Sequence, residues 1–172
     1  MCGYAVAIGR PRAYVEVMTV LLVASKGGHL DQARRFADHL EQGAVIQYLT
    51  DVPSEASEGM FVLPRVVDYE EKTGVLKRLF RAVVVLFRSL AIMRKTKPIL
   101  IVTFGGAFCV PVAVAAKMLG IELLHIESWS RIRSVSRSTE HVLRLNLAKA
   151  IGYQYPESVL NGRPNCRYIG HL

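Results

Sequence analysis

The sequence has little cysteine, a single tryptophan and few acidic residues. It contains 3 Cys among 172 residues, and 14 Asp and Glu stand against 22 Lys and Arg. Cys2, Cys109 and Cys166 are widely spaced and form no C-x-x-C pair, which argues against a disulfide framework or a structural zinc and favours a reducing compartment. The net charge of +8 favours anionic partners: phosphates, nucleic acid or an anionic lipid surface.

A secretory signal peptide and the known nucleotide-binding fingerprints are also missing. Residues 1–9 are apolar, but Arg10 and Arg12 follow this stretch, whereas a signal peptide carries its basic residues first. We predict that residues 1–17 are an N-terminal extension or a mis-called start, and that one Rossmann-like domain covers 18–172. Neither G-x-G-x-x-G nor a P-loop occurs, and we predict no cofactor and no metal.

One uncharged run meets the length criterion for a membrane span. Residues 99–116 carry no charge over 18 positions. The run begins with Ile99-Leu100-Ile101-Val102, breaks at Gly105-Gly106 and resumes at Pro111. A strand, a glycine turn and a helix with proline in its first turn explain that order better than a membrane span does.

Short apolar runs alternate with helical patterns along the chain. Strands are predicted at 20–24, 45–49, 60–63, 100–103, 123–126, 151–154 and 167–169, and helices at 29–40, 75–94, 111–119 and 139–149. This alternation predicts an α/β fold, a Rossmann-like parallel sheet with helices on both faces. Ligands of such sheets bind at the carboxyl ends of the strands, so the loops at 25–29, 104–108 and 127–137 should meet at one site.

The first loop, Ser25-Lys26-Gly27-Gly28-His29, has the residues of an anion site. Two glycines let the backbone turn tightly and expose N–H groups at a helix N-terminus, where the helix dipole attracts a phosphate. Lys26 adds a positive charge, and His29 is a candidate general base or phosphate contact. An ordinary strand-to-helix turn with an exposed histidine explains the same residues.

The second loop repeats the glycine pair, as Gly105-Gly106 at the end of another strand. Adjacent glycines allow close approach of the backbone to a ligand. Taken alone, the pair is explained as well by a simple turn. Two glycine loops at one sheet edge favour a shared phosphate-containing ligand, and a diphosphate would use both.

The third loop carries charge. Glu127 follows a predicted strand and is a candidate proton acceptor or sugar ligand, while Arg131 and Arg133 are candidate phosphate contacts. Trp129 offers a face to a sugar ring or an edge to lipid. His125 either projects beside Glu127 or is a hydrogen-bonded core histidine, which is the more common case.

Residues 72–97 contain eight basic residues and no acidic one. We predict a basic amphipathic helix at about 75–95, whose composition suits an anionic membrane interface. A core helix with a solvated basic face is the alternative, and the two readings are compatible because the apolar arc is wide. The candidate membrane contacts are Lys77, Arg78, Phe80, Arg81, Phe87 and Arg88.

With these loops in view, the chain resembles the family of the eukaryotic asparagine-linked-glycosylation protein fourteen and its bacterial PssD-like relatives. The matching stretches are VLLVASKGGHL at 20–30, VTFGGAFCVPVAVAAKMLG at 102–120, HIESWSRIR at 125–133 and YQYPE at 153–157. Lys26 departs from the family, which usually has Ser there.

The resemblance implies the N-terminal half of a split GT-B glycosyltransferase, distantly similar to MurG. This half would bind a lipid-linked diphosphate sugar acceptor in oligosaccharide or polysaccharide biosynthesis. A small catalytic partner subunit would bind the nucleotide sugar, of the UDP-GlcNAc, UDP-glucuronate or UDP-galactose type. The protein would be peripheral at the cytoplasmic membrane face, of prokaryotic type, and part of an inverting enzyme inactive without its partner. The residues carried over by position are Gly27, Gly28, His29, Gly105, Gly106, Glu127 and Arg131.

In the mechanism that follows, His29 or Glu127 deprotonates the acceptor hydroxyl, which attacks the anomeric carbon. One alternative is a non-catalytic membrane anchor for the partner, and another is an independent nucleotide-binding α/β protein. Nucleic-acid binding ranks last, because the basic residues lie beside Leu, Val and Phe and form no recognisable module.

Overall fold

The computed structural model describes residues 18–40, 43–53, 59–67 and 74–170. The predicted extension at 1–17 and Lys72 of the basic segment lie outside the described residues.

The strands form one seven-stranded sheet in the order β3-β2-β1-β4-β5-β6-β7, and all neighbouring strands are parallel. The chain builds the sheet outward from β1 to one edge, then returns to β4 and builds to the other edge. This reversal between β1 and β4 is the switch point where α/β sheets open a crevice for ligands. The strands are β1 Thr19–Val23, β2 Val45–Thr50, β3 Met60–Val62, β4 Leu100–Thr103, β5 Glu122–Ile126, β6 Ala150–Tyr153 and β7 Cys166–Tyr168.

Four helices connect these strands within the described residues, and α4 differs most from its predicted extent. The helices are α1 Gly28–Asp38, α2 Val75–Thr96, α3 Cys109–Met118 and α4 Arg137–Arg144. The helix predicted at 139–149 starts earlier because the Ser136 hydroxyl accepts a hydrogen bond from the Thr139 amide, an N-cap. It ends at Arg144 because Asn146 adopts a left-handed backbone with φ of 48°.

Both faces of the sheet are covered, as the sequence predicts. Leu21 and Val23 of β1 pack in the core with α2, α3 and α4, and Val20 and Leu22 pack on the other face against α1. Alternate side chains of a strand point to opposite faces. Because helices lie on both sides, β1 is apolar from Val20 to Val23, which produces the short uninterrupted apolar run in the sequence.

The helix α2 packs on the core from Ala82 onward. Its buried residues are Val85, Ser89, Leu90 and Met93. The residues of its first turns, at 75–80, are all exposed. The N-terminal half of α2 therefore projects beyond the core.

Candidate functional site

The loops after β1, β4 and β5 converge at the carboxyl edge of the sheet, as predicted. A Cβ atom on Gly28 would lie 3.2 Å from Nε1 of Trp129, and one on Gly105 would lie 2.9 Å from Cε1 of His29. Gly105 also has a φ of +95°, which side chains rarely adopt. The two glycines thus allow a ring from a neighbouring loop to rest directly on the backbone.

Ser25 and Asp51 join the first glycine loop to the end of β2. The Ser25 hydroxyl donates to Oδ1 of Asp51 at 2.8 Å, and a Cβ on Gly106 would lie 3.0 Å from Cβ of Ser25. Burial raises the pKa of Asp51, while the Ser25 hydrogen bond and the Arg65 charge act in the opposite direction. The sequence analysis missed Asp51, although an acidic residue directly after a predicted strand was the available signal.

His29 lies where the three loops meet. Burial lowers the pKa of His29, and the charges of Glu127 and Asp51 partly offset that effect. Its imidazole is therefore largely neutral at pH 7, which is the form that can accept a proton. Lys26 and Gly27 precede it on an exposed turn, and α1 has no side-chain cap at Gly27.

The carboxylate of Glu127 accepts hydrogen bonds from backbone amides of its own loop. Its Oε1 accepts a hydrogen bond from the Ser128 amide at 2.8 Å, and its Oε2 accepts one from the Ser136 amide at 2.8 Å. The residue is only 2% exposed, and the Gln154 side-chain amide donates to its backbone carbonyl at 3.3 Å. The carboxylate closes the loop of residues 128–136 upon itself.

His125 is a core histidine. Its Nδ1 hydrogen-bonds with Oγ1 of Thr103 and its Nε2 with Oγ1 of Thr139, both at 2.7 Å. Complete burial lowers its pKa to about 3, so the ring is neutral at physiological pH. Of the two interpretations left open by the sequence, the hydrogen-bonded core histidine is confirmed.

Trp129 packs toward α1. Its ring contacts Gly28, and the Arg35 guanidinium carbon lies 5.4 Å from the ring centroid, a distance typical of a cation–π contact. The ring therefore braces the third loop against the helix that begins at the first loop.

A cavity of about 930 Å³ opens beside these loops, a size typical of small-molecule sites. Its polar wall includes His29, Ser128, Ser130, Arg131, Arg137 and His141. Its apolar lining residues are Val66, Val67, Ala82, Ala107, Val110 and Pro111. No acidic side chain is among the described residues that line it. The cavity thus combines a positively charged, hydroxyl-rich side with an apolar side.

Arg78, Gly106, Ser136 and Ser138 also line the cavity. Arg78 is predicted from the sequence as a membrane contact, and in the structure it also lines the cavity. At about 100° per residue, Arg78 lies about 180° around α2 from Phe87, on the side that also carries Ala82 and the buried residues. Arg137 and His141, on α4, were missed because nothing in the sequence shows which side of this helix faces the cavity.

The opposite side of α2 carries an exposed apolar stripe of Leu76, Phe80, Val83 and Phe87, spaced i, i+4, i+7 and i+11. Leu76 is 81% exposed, Phe80 67% and Phe87 65%. The basic residues Lys77, Arg81 and Arg88 follow one flank of this stripe. Among the described residues, no helix has the length and hydrophobicity needed to cross a membrane.

Compared by sequence, the chain matches no protein-family model and no curated protein. Solved structures share its fold. MurG of Acinetobacter baumannii aligns with a TM-score of 0.68 at 18% identity, over 89% of this chain and 44% of that chain. UDP-N-acetylglucosamine 2-epimerase of Rickettsia bellii aligns with 0.61 at 11% identity, over 90% and 45%. UGT89C1 of Arabidopsis thaliana, complexed with UDP-L-rhamnose, aligns with 0.52 at 13% identity, over 90% and 52%.

The chain therefore spans about half the length of the solved structures it matches. At these identities the similarity concerns the fold. The chain has the Rossmann-like α/β fold of GT-B glycosyltransferase domains.

Proposed function

We propose that this chain is the acceptor-binding half of a two-component GT-B glycosyltransferase and that its cavity holds a lipid-linked diphosphate sugar. The proposal rests on one observation: basic and serine side chains beside the glycine loops line the same cavity as apolar side chains of α2, of α3 and of the segment after β3. Such a cavity suits a ligand with an anionic head and an apolar tail. Oligosaccharide or polysaccharide biosynthesis is the setting in which such acceptors are used.

The anionic head has donors on several elements. Arg78, Arg131 and Arg137 line the cavity, and guanidinium groups bind phosphate oxygens through paired hydrogen bonds. The N-cap of α1, Gly27, has no side-chain cap, so the positive end of the α1 dipole suits an anion. At α3 the first amide, that of Cys109, donates to the Gly106 carbonyl at 3.1 Å, so α3 contributes mainly its dipole.

The apolar tail has a path toward α2. Ala82 lies one turn after Arg78 on the cavity side of α2, and Val110 and Pro111 of α3 line the same space. The exposed stripe of α2, with its basic flank, is suited to an anionic membrane interface. We place the protein at the cytoplasmic membrane face, as a peripheral protein of prokaryotic type.

His29 is the better placed of the two candidate bases. It lines the cavity and is neutral, whereas both carboxylate oxygens of Glu127 accept backbone hydrogen bonds. The acceptor hydroxyl gives its proton to the His29 imidazole as its oxygen bonds the anomeric carbon. The bond from that carbon to the UDP oxygen breaks, UDP leaves with the electron pair, and the anomeric centre inverts. The charges of Glu127 and Asp51 favour the imidazolium that forms.

The donor site belongs to a partner in this proposal. The Arabidopsis UGT89C1, about twice as long as this chain, is complexed with a UDP-sugar, UDP-L-rhamnose. A small catalytic subunit would supply the missing half and a donor of the UDP-GlcNAc, UDP-glucuronate or UDP-galactose type. Activity would then require both chains.

The test is to co-express the full chain with the small open reading frame nearest its gene, purify through a tag on this chain, and assay transfer from a panel of UDP-sugars to membrane lipid. We expect activity from the pair and none from either protein alone. His29→Ala should lower turnover by about 10²–10⁴-fold. Normal turnover by His29→Ala in an active pair would favour the non-catalytic anchor, and UDP-sugar binding by this chain alone would favour an independent nucleotide-binding protein.

A further inference from the structure

A chain of hydrogen bonds runs beneath the cavity from β4 to the third loop. The hydroxyl of Thr103 bonds with the ring of His125, whose other nitrogen bonds with the hydroxyl of Thr139. The Thr139 hydroxyl bonds with the Ser136 hydroxyl at 2.9 Å, and the Ser136 amide donates to Glu127 at 2.8 Å. Thr103, His125 and Thr139 are completely buried. We call these five residues the buried network.

The buried network fixes both ends of the third loop. Through its two oxygens, Glu127 binds the first and the last amide of the segment 128–136. Ser136 is also the N-cap of α4 and accepts a hydrogen bond from the Thr139 amide at 3.2 Å. Arg131 lies inside the fixed segment and Arg137 follows it directly, so the network sets the position of both.

All the hydrogen-bonding groups of the buried network can have partners at the same time. The ring of His125 is neutral, so one nitrogen donates and the other accepts. Whichever nitrogen carries the proton, the rotating hydroxyls of Thr103 and Thr139 supply the complementary partner. A buried network that is fully satisfied rigidifies its surroundings, whereas loss of one member leaves a buried polar group without a partner.

We propose that the buried network positions the basic wall of the cavity and that Glu127 acts as a positioning residue in it, not as the base. The nature of the ligand rests on the proposed function. The rigidity of the 128–136 segment does not depend on the ligand, so the positioning role and the proposed function can fail separately.

A base and a positioning residue predict different kinetics for Glu127→Gln. The glutamine keeps the shape but replaces one accepting oxygen with an NH₂ group, so one loop amide loses its acceptor. We expect the KM for the lipid acceptor in the intact pair to rise about tenfold, as expected for loss of a hydrogen bond to a charged group. We expect kcat to fall less than about threefold, whereas loss of a base would lower kcat by about 10²–10⁴-fold.

Thr139 provides a matched pair of variants. Thr139→Ser keeps the hydroxyl, and Thr139→Val keeps the shape but leaves Nε2 of His125 and Oγ of Ser136 without this partner. Two measurements on the full chain need no partner protein. The first is hydrogen exchange of the amides at 128–136, and the second is binding of inorganic pyrophosphate, followed by fluorescence of Trp129, the single tryptophan.

We expect Thr139→Val and Glu127→Gln to exchange the 128–136 amides at least about tenfold faster and to bind pyrophosphate correspondingly more weakly, with Thr139→Ser like wild type. Equal exchange in the valine and serine variants, or a loss in kcat alone for Glu127→Gln, would overturn the inference. If Thr139→Val does not fold, Glu127→Gln decides alone. If wild type binds no pyrophosphate but the variants still loosen the loop, the positioning role stands and the proposed function fails.

Discussion

At the scale of single residues, the site depends on contacts that leave no room for a side chain. A methyl group on residue 105 would lie 2.9 Å from the His29 ring. An alanine there would also have to adopt the backbone φ of +95° that Gly105 has. A substitution at Gly105 therefore combines a backbone cost, from the positive φ, with a steric cost, from the His29 ring. A second glycine with a positive φ but no close neighbour allows the two costs to be measured separately.

We predict that Gly105→Ala lowers the free energy of unfolding by about 1–2 kcal/mol or more, because a left-handed backbone costs about that for a residue with a Cβ and the His29 ring must also move. Gly162→Ala is the control, since Gly162 has a φ of +76° with nothing within 4 Å of the added carbon. Urea unfolding and pyrophosphate binding are the measurements. Both variants should lose stability, and only Gly105→Ala should lose binding. Equal binding by the two would mean that the close approach to His29 has no role in the site.

The lowered pKa of His29 predicts a pH dependence of transfer. A base with a pKa below its usual 6.5 is already deprotonated at lower pH than an exposed histidine. The kcat/KM of the intact pair should therefore rise with pH through a midpoint below 6.5 and stay level above it. His29→Gln should remove this dependence, whereas His39→Gln, at the exposed C-terminus of α1, should keep it. A profile that is unchanged in His29→Gln would assign the titrating group to another residue.

At the scale of secondary-structure elements, α2 has two different sides. Its buried side chains start at Val85, and its exposed stripe faces away from the core. Exposed phenylalanines at this density are unusual unless a surface covers them, and the flanking basic side chains favour an anionic one.

We predict that Phe80→Ser with Phe87→Ser reduces binding to vesicles of phosphatidylcholine and phosphatidylglycerol by at least about tenfold, because each phenylalanine loses its favourable transfer from water. Met118→Ser is the control, since Met118 is 64% exposed at the end of α3 and outside the stripe. Vesicle co-sedimentation measures the effect. If the double variant and the control bind equally, α2 is not the membrane contact.

The elements were largely predictable from the sequence, and the reasons are local. β1 and β4 appear as short apolar runs because both sheet faces are covered, and the glycine pairs mark the turns that follow them. The end of α4 was misjudged because the apolar pattern continues through Leu147 and Ala148, which are buried outside the helix. The sequence did not show that Arg78 lines the cavity, since only the packing of α2 on the core determines which side of the helix faces it.

At the scale of the whole molecule, the parallel sheet explains why distant loops form one site, and this convergence was predictable. The roles inside the site were not. Glu127 directly follows a strand, a position that is typical of catalytic carboxylates in such sheets. Only the structure shows that its two oxygens accept hydrogen bonds from the amides of Ser128 and Ser136. Asp51 enters the site through the placement of β2 beside β1, a strand order that no local pattern specifies.

Asp51 also links the site to the stability of the whole fold. Its pKa is raised from 3.8, so folding favours its protonated form. The stability associated with this group is present below pH 3.8 and is lost as the pH rises through the raised pKa. Asp51→Asn keeps an acceptor for Ser25 and carries no charge. Its melting temperature relative to wild type should therefore increase between pH 4 and pH 8. A constant difference across that range would mean that Asp51 does not titrate differently in the folded and unfolded states.

The two sides of α2 also determine how far the Arg78 side chain stands above a surface that covers the apolar stripe. An α-helix with its side chains is about 10–12 Å across, and Arg78 lies on one side of it while Phe80 and Phe87 lie on the other. With the stripe immersed in a lipid surface, the guanidinium of Arg78 stands roughly one helix diameter above the stripe. A lipid phosphate bound there must be lifted out of the plane of its neighbours, and the apolar wall of Ala82, Val110 and Pro111 would shield the part of the tail that leaves the bilayer with it.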